Sequence, residues 1–203
     1  MLLNHAFGLF KNPDNEWAEI RKEHAPPRRL YVAYVFVLAA IGPICAYIST
    51  SHFGWTVGND RLIKFTEISA MQLSILTYLA ILVGVFALGY AVNWMAKTYG
   101  AREEQVPSNG IALASYSCTP LFLAGFALLY PSPWFNVIIF MIAACYGAWL
   151  MFDGLPIVMG IPKDQALMYS GALLTVALVI LVSTRVGSVI LWNYGFGPVY
   201  QNG

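Results

Sequence analysis

Charged residues are scarce in this chain. Lys, Arg, Asp and Glu together make up 10% of the 203 residues, whereas an ordinary soluble domain contains about 25%. Hydrophobic residues make up 59% of the chain, and the mean hydropathy is +0.64. One small globular core cannot bury so many apolar side chains. The composition therefore predicts a protein that has the lipid bilayer as its main partner.

Several functional signatures are also lacking. The net charge of +1 provides no basic surface for nucleic acid, so we expect no nucleic-acid partner. There is no HExxH or GxSxG motif, no phosphate-binding loop and no pair of carboxylates in the middle of an apolar run. Neither the three histidines nor the three cysteines have the spacing of a metal site. We therefore expect no enzyme activity, no cofactor and no metal.

Long apolar runs predict five membrane-spanning helices, because each run approaches the roughly 20 residues that a helix needs to cross a bilayer. The runs cover about residues 29–50, 68–98, 111–130, 134–155 and 165–192. Gly42-Pro43 predicts a kink in the first span. The segment from Gly154 to Lys163 is rich in Gly and Pro and predicts a loop after the fourth span. The predicted fold class is an all-α membrane protein, with residues 29–203 forming one five-helix transmembrane domain.

Basic residues predict the orientation of the bundle, because cytoplasmic loops carry an excess of Lys and Arg. An N-terminus in the cytoplasm places eight basic residues inside and two outside. The inner group is Lys11, Arg21, Lys22, Arg28, Arg29, Lys97, Arg102 and Lys163, and the outer group is Arg61 and Lys64. We therefore predict that the N-terminus is inside and the C-terminus outside.

Residues 1–28 predict a cytoplasmic interfacial segment. Asn12 is a suitable helix cap and Pro13 suits the first helical position. Trp17 and Ile20 then share one apolar face, while charged residues occupy the opposite face. Such an amphipathic helix is expected to lie on the lipid headgroups, with Pro13, Trp17 and Ile20 as its anchor.

A polar string interrupts the third span. Pro120 removes a backbone donor and frees the carbonyl of Tyr116, four residues earlier. Ser117 and Thr119 then have two interpretations. Their hydroxyls can hydrogen-bond locally to the freed backbone, or they can line a path for a solute or ion along a kinked helix.

Arg185 is the basic residue that lies deep within a predicted span, where charge is costly. It can snorkel to the outer headgroups, or pair with Glu67 or Gln72 of the second span. Asp153 lies near the opposite end of the fourth span, too far from Arg185 for a direct ion pair. All four side chains are candidates for a polar interior.

Three strings resemble one known family. They are the Asn12-Pro13-Asp-Asn-Glu-Trp17-Ala-Glu-Ile20 start, Tyr116-Ser-Cys-Thr-Pro120, and the stretch from Trp149 through Lys163 to Ala166. In this order they resemble the Yip1 domain family, particularly its small bacterial inner-membrane branch. The resemblance implies a multi-pass protein of the bacterial inner membrane. Eukaryotic members are linked to membrane traffic and prenylated Rab-type GTPases, but this chain lacks their Asp-Leu-Tyr-Gly-Pro motif, so no GTPase role is carried over.

Two functions are compatible with these features. The first is a transporter or channel, hypothetically homo-oligomeric, that passes a small solute or ion along the third span. The alternative is a non-catalytic membrane-organising or scaffold protein that acts through its amphipathic N-terminus on the bilayer or on a protein partner. The sequence identifies neither the solute nor the partner.

Overall fold

The computed structural model describes residues 2–23, 26–56, 62–101 and 108–201. Two short helices, α1 (Leu2–Lys11) and α2 (Pro13–Glu23), come first. Five long helices follow, the first to fifth spans, which cover Pro27–Phe53, Glu67–Tyr99, Ser108–Leu129, Pro133–Met159 and Lys163–Phe196. Each is long and apolar enough to cross a membrane, which confirms the five predicted spans. Arg61 and Arg102, which were counted for the orientation, lie outside the described residues.

The helix of the first span is interrupted close to the position of the predicted kink. The interruption lies at Ala40, just before Gly42-Pro43, because the proline has no N–H to continue the hydrogen-bond ladder. The interruption lets Gly42 approach the backbone of the third span. A Cβ atom on Gly125 would lie 2.6 Å from the Cα of Gly42, so the two helices meet there without side chains between them.

The fourth span is longer than the sequence predicts. The expected loop from Gly154 to Lys163 is wrong for most of its length, because the helix continues through Pro156 to Met159. A proline this close to a helix end removes a single backbone hydrogen bond, which the remaining helix tolerates. The helix stops at Gly160, whose φ of 64° is left-handed. The fifth span begins three residues later at Lys163.

The third span lies at the centre of the bundle. In its most apolar stretch 61% of the residues are buried, against 22–39% in the other four spans. Its helix breaks at Cys118, immediately before Thr119-Pro120, and tightens to a 3₁₀ helix over Gly125–Leu129. The polar string therefore lies inside the protein, while the surrounding spans supply the outer surface.

A short sheet and the C-terminal segment close the end of the bundle that lies opposite α1 and α2. Strand β1 (Trp55–Thr56) pairs antiparallel with β2 (Leu62–Ile63). The amide of Thr66 donates to the carbonyl of Val199 over 2.9 Å, which ties the C-terminal segment to the start of the second span. Strands of two residues are too short to show an alternating pattern in the sequence, so the sequence does not predict them.

The outer faces of the spans are strongly apolar. Large side chains that are more than half exposed include Val83, Ile142, Leu178 and Val182. A water-soluble protein rarely leaves so continuous an apolar surface uncovered. The surface is the one expected where lipid chains replace water as the solvent.

Candidate functional site

The apolar face of α2 packs into the bundle. Trp17 has no exposed surface and Ile20 is 6% exposed. The indole lies against Gly154 of the fourth span, where a Cβ atom would come within 2.7 Å of Trp17 Cε2. Pro13 begins the helix as predicted and is partly exposed. The structure thus differs from the predicted headgroup anchor, because the small residue in the fourth span provides a groove that accepts the indole.

Further contacts hold α1 and α2 along the fourth span. Arg21 Nη1 donates to the carbonyl of Ile157 over 2.9 Å. The ring of Phe10 stacks on that of Tyr146 with centroids 5.2 Å apart, and the Tyr146 hydroxyl donates to the Leu9 carbonyl over 3.4 Å. From Tyr146 to Ile157 the helix rises about 16 Å. The two helices therefore form a hairpin, the N-terminal hairpin, docked along the side of the bundle.

Tyr116 is the meeting point of the hairpin and the spans. Its side chain is 1% exposed and contacts three other rings. The ring centroids of His5 and Trp17, both in the hairpin, lie 5.8 and 6.4 Å away in edge-to-face arrangements. The ring of Tyr34 in the first span lies 4.6 Å away. Such aromatic pairs stabilise packing by about 0.5–1.5 kcal/mol each beyond the area they bury.

The other members of the polar string are buried and make contacts across helices. The hydroxyls of Thr119 and Tyr34 are hydrogen-bonded to each other over 2.5 Å. Ser117 Oγ has no hydrogen-bond partner among the described residues, and the Ser117 carbonyl lies where a Cβ on Gly147 would approach to 2.7 Å. Pro120 is buried beside them. The Thr119 hydroxyl thus binds the first span rather than the backbone of its own helix.

Buried hydroxyls also follow one face of the third span. Ser108, Ser115 and Thr119 recur at the i, i+7 and i+11 spacing of a single helix face. The side chains are 4%, 0% and 0% exposed, and the hydroxyls of the two serines have no partner among the described residues.

A small cavity separates α2 from the third span beside this face. Glu23, Ile20, Ser108 and Tyr116 are among the residues that line it. Its volume of about 10 Å³ is close to the minimum for one water molecule. Ser117 and Thr119 are not part of its lining. The cavity therefore begins at the hairpin and does not reach the hydrogen bond between Thr119 and Tyr34.

Asp153 lies between the hairpin and the fifth span. Its carboxyl is partly buried. It is repelled by the like charge of Asp14 in α2 and attracted by the opposite charge of Lys163 at the start of the fifth span. Asp153 Oδ2 has no hydrogen-bond partner among the described residues. The structure thus brings Asp153 to the N-terminal hairpin, near the end of the bundle that also holds Tyr116.

Arg185 is remote from this group and from Glu67. Gly84 of the second span faces Ile180 of the fifth, and the two helices run in opposite directions. At 1.5 Å per residue, Arg185 therefore lies roughly 18 Å along the bundle from the level of Glu67. Both side chains are exposed, and the described residues contain no ion pair between them. Gln72 is partly exposed and lies five residues, about 1.4 helical turns, closer to Arg185 than Glu67 does.

The structure also brings together a cluster that the sequence analysis did not predict. His5 Nδ1 contacts the carboxylate of Glu16, and His5 Nε2 lies 2.7 Å from Glu23 Oε2. The histidine is 8% exposed. The spacing of acidic residues along α2 is a weak signal by itself, because solvated helix faces show it often. The approach of His5 from a different helix depends on the turn between α1 and α2.

Four apolar spans around a central span with buried hydroxyls define a multi-pass membrane protein with a polar interior. Residues 7–184 match the Yip1 domain, and the chain belongs to this family. It is similar to the inner membrane protein YohC of Escherichia coli strain K12, with 33% identity over 194 residues that cover 96% of this chain and 98% of the relative. YohC of Escherichia coli O6:H1 strain CFT073 is similar to the same extent.

No solved structure matches the chain. The family match nevertheless confirms the resemblance that the three sequence strings indicate. Together with the five spans, the relationship to YohC identifies the chain as a multi-pass protein of the bacterial inner membrane.

Proposed function

We propose that this protein is a transporter or channel for a small solute or ion, and that the N-terminal hairpin closes its path. The observation that carries this proposal is the row of buried hydroxyls at Ser108, Ser115 and Thr119 of the central span. A hydroxyl without a partner in an apolar interior costs roughly 1–3 kcal/mol. A helix that served packing alone would be more stable with Ala or Val at such positions, so a polar lining supports passage of a polar species.

The hairpin is placed to act as the closing element. Tyr116 lies eight residues into the third span, about 12 Å from its start, and it is covered by Trp17 and His5. With the N-terminus in the cytoplasm, as the basic residues favour, the hairpin covers the cytoplasmic end of the path. Moving Trp17 off Gly154 would enlarge the small cavity beside Tyr116 toward the buried hydroxyls.

A flux assay in proteoliposomes tests this proposal. The full chain, Trp17→Ala and Trp17→Ala/Thr119→Val are reconstituted at equal density and screened with monovalent cations, anions and small neutral solutes. We expect Trp17→Ala to increase the flux of one class at least about tenfold, because weakening a closed state by about 1.4 kcal/mol raises the open population tenfold. Thr119→Val should reduce that flux, since it replaces a hydroxyl by a methyl of similar size.

Gly171→Ala serves as the control for reconstitution, because a Cβ there meets no atom within 4 Å. Flux that stays at the protein-free level in all variants, for every species screened, would contradict the proposal. An increase that is equal with and without Thr119→Val would place the path elsewhere in the bundle.

A second candidate is the membrane-organising role, and one specific observation favours it. Phe7 is 79% exposed on α1, although Trp17 and Ile20 are buried in the bundle. An exposed aromatic ring on a helix beside the bilayer can insert among the lipids. In this version of the alternative, α1 acts on the membrane while α2 holds it against the bundle.

Vesicle shape distinguishes the second candidate from the first. The full chain and Phe7→Ser are reconstituted into liposomes of uniform diameter, and the diameter is measured by electron microscopy. Membrane remodelling that Phe7→Ser abolishes would support the second candidate. Unchanged vesicles with the full chain would count against it, whatever the result of the flux assay.

A further inference from the structure

Four side chains of the N-terminal hairpin converge on one point. Glu16, Glu19 and Glu23 lie at i, i+3 and i+7 on α2 and so share one helix face. The buried His5 reaches this face from α1. One ligand atom each from His5, Glu16 and Glu19 lie within 4.8 Å of one another. Glu23 lies on the other side of the imidazole, 2.7 Å from Nε2.

The Glu16 carboxylate lies against the backbone of α1 at Gly8. A Cβ atom at Gly8 would lie 1.9 Å from Glu16 Oε2 and 2.2 Å from Glu16 Cδ, so no other residue fits there without displacing the carboxylate. Gly8 and His5 are one helical turn apart on α1. The glycine therefore lets the carboxylate reach the histidine across the helix–helix contact.

The carboxylates around His5 carry negative charge that a neutral imidazole does not compensate. A neutral imidazole has one N–H, and Glu23 is positioned to accept it from Nε2. Nδ1 then presents a lone pair toward the carboxylate of Glu16, and the carboxylate of Glu19 belongs to the same cluster. A second proton on His5 would neutralise one negative charge, whereas a divalent cation would neutralise two. Three carboxylates lie around one imidazole, so a divalent cation leaves less uncompensated negative charge than a second proton does.

We infer that the N-terminal hairpin holds a divalent transition-metal ion of the Zn²⁺ class through His5 Nδ1, Glu16 and Glu19. An imidazole with two carboxylates suits transition-metal cations such as Zn²⁺ and Mn²⁺ better than Mg²⁺ or Ca²⁺, which prefer oxygen alone. Glu23 would accept the hydrogen bond from Nε2 and so fix the orientation of the metal-binding imidazole. The exposed Glu19 needs only a rotamer change to close the ligand set.

The ion would join α1 to α2. Its ligands come from both helices of the hairpin, so binding favours the conformation in which His5 and Trp17 lie together on Tyr116. This inference is independent of the proposed transport, because the ligands all lie in the hairpin and none lies on the hydroxyl face of the third span.

Metal binding to the full-length purified protein tests the inference. The protein is stripped with a chelator in detergent and titrated with Zn²⁺ by calorimetry, and bound metal is counted by elemental mass spectrometry. We expect one saturable site. Glu19→Gln should weaken it by about 10–100-fold and Glu23→Gln by about tenfold, and His5→Ala should abolish it. Co²⁺ should give visible d–d absorption bands that are absent in His5→Ala.

The controls separate this site from other donors and from misfolding. His52→Ala removes an exposed histidine at the opposite end of the bundle and should leave the affinity unchanged. Glu19→Gln alters an exposed side chain, so its melting temperature without metal should match that of the parent. The inference is overturned if neither Zn²⁺ nor Mn²⁺ binds saturably. It is equally overturned if the affinity of Glu19→Gln and His5→Ala equals that of the parent, since the metal is then bound outside the hairpin.

Discussion

At the scale of single residues, Trp17 and Gly154 form the contact on which hairpin docking depends. The indole is fully buried, and it lies where any side chain at position 154 would be. Large aromatic side chains contribute most to such contacts because each buries about 150–250 Å². This glycine within a membrane helix is therefore used for close approach rather than for flexibility.

Adding one methyl group at Gly154 should dislodge the hairpin. In Gly154→Ala the new Cβ would lie 2.6 Å from Leu113 Cδ1 and 2.7 Å from Trp17 Cε2. We expect the free energy of unfolding in detergent to fall by about 1–3 kcal/mol. Gly171→Ala, at an open helical position, should instead be neutral or stabilising by up to about 1 kcal/mol. Equal melting temperatures for the two variants would show that position 154 has room.

The hydrogen bond between Tyr34 and Thr119 should be measurable by a double-mutant cycle. Tyr34→Phe and Thr119→Val each remove one of two buried hydroxyls that bind each other. We expect a coupling energy of about 0.6 kcal/mol and no more than about 1.7 kcal/mol, the mean and the maximum for hydrogen bonds between membrane helices. Tyr90→Phe, at an exposed tyrosine, is the control. Strictly additive effects would indicate that each hydroxyl finds another partner.

At the scale of elements, the N-terminal hairpin behaves as a docked unit rather than as part of the spans. Its contacts with the fourth span are made by Phe10, Trp17 and Arg21, and its own helices meet through His5 and Glu16. A terminal element that docks on the rest of a protein through one face can open before the rest unfolds. The hairpin is accordingly the part of the molecule whose position one substitution can change.

Trp17→Ala should release the hairpin while leaving the five spans folded. Truncating a buried Trp costs about 3–5 kcal/mol, and this loss falls on the docked state alone. We expect hydrogen exchange of residues 13–23 to accelerate by about 100-fold or more, with little change in the second and fifth spans. Phe7→Ala, at a ring that is 79% exposed, should leave exchange unchanged. Uniform acceleration throughout the chain would instead identify Trp17 as a residue of the global core.

At the scale of the whole molecule, polarity increases toward the centre of the bundle. The third span is the most deeply buried of the five, whereas the fourth and fifth spans expose most of their apolar surface. This distribution is the reverse of a soluble protein, because lipid solvates apolar side chains and cannot solvate hydroxyls. Polar side chains therefore gather on the helix that touches the least lipid.

An odd number of crossings places the two termini on opposite sides of the membrane. We expect a reporter at the N-terminus to be active in the cytoplasm and one at the C-terminus to be active in the periplasm. Paired reporters that work in only one compartment, such as a fluorescent protein and alkaline phosphatase, measure this directly. Both termini on one side would contradict the five-span bundle, and a periplasmic N-terminus would reverse only the orientation.

The apolar runs alone determine the five spans and their approximate ends, because a bilayer imposes one length on every crossing helix. The sequence also predicts the start of α2 at Pro13 and the break near Pro120, since a missing N–H acts locally. The end of the fourth span at Met159 was missed, because the left-handed turn at Gly160 rather than Pro156 stops the helix.

Only the tertiary structure decided where the amphipathic face of α2 lies. An apolar stripe is equally suited to lipid and to a protein groove, and the groove at Gly154 depends on helices far apart in sequence. For the same reason the sequence does not predict the contact of His5 with Glu16 and Glu23, since these side chains come from two helices. Local pattern determines which segments become helices, whereas contacts between distant helices determine which of their side chains act together.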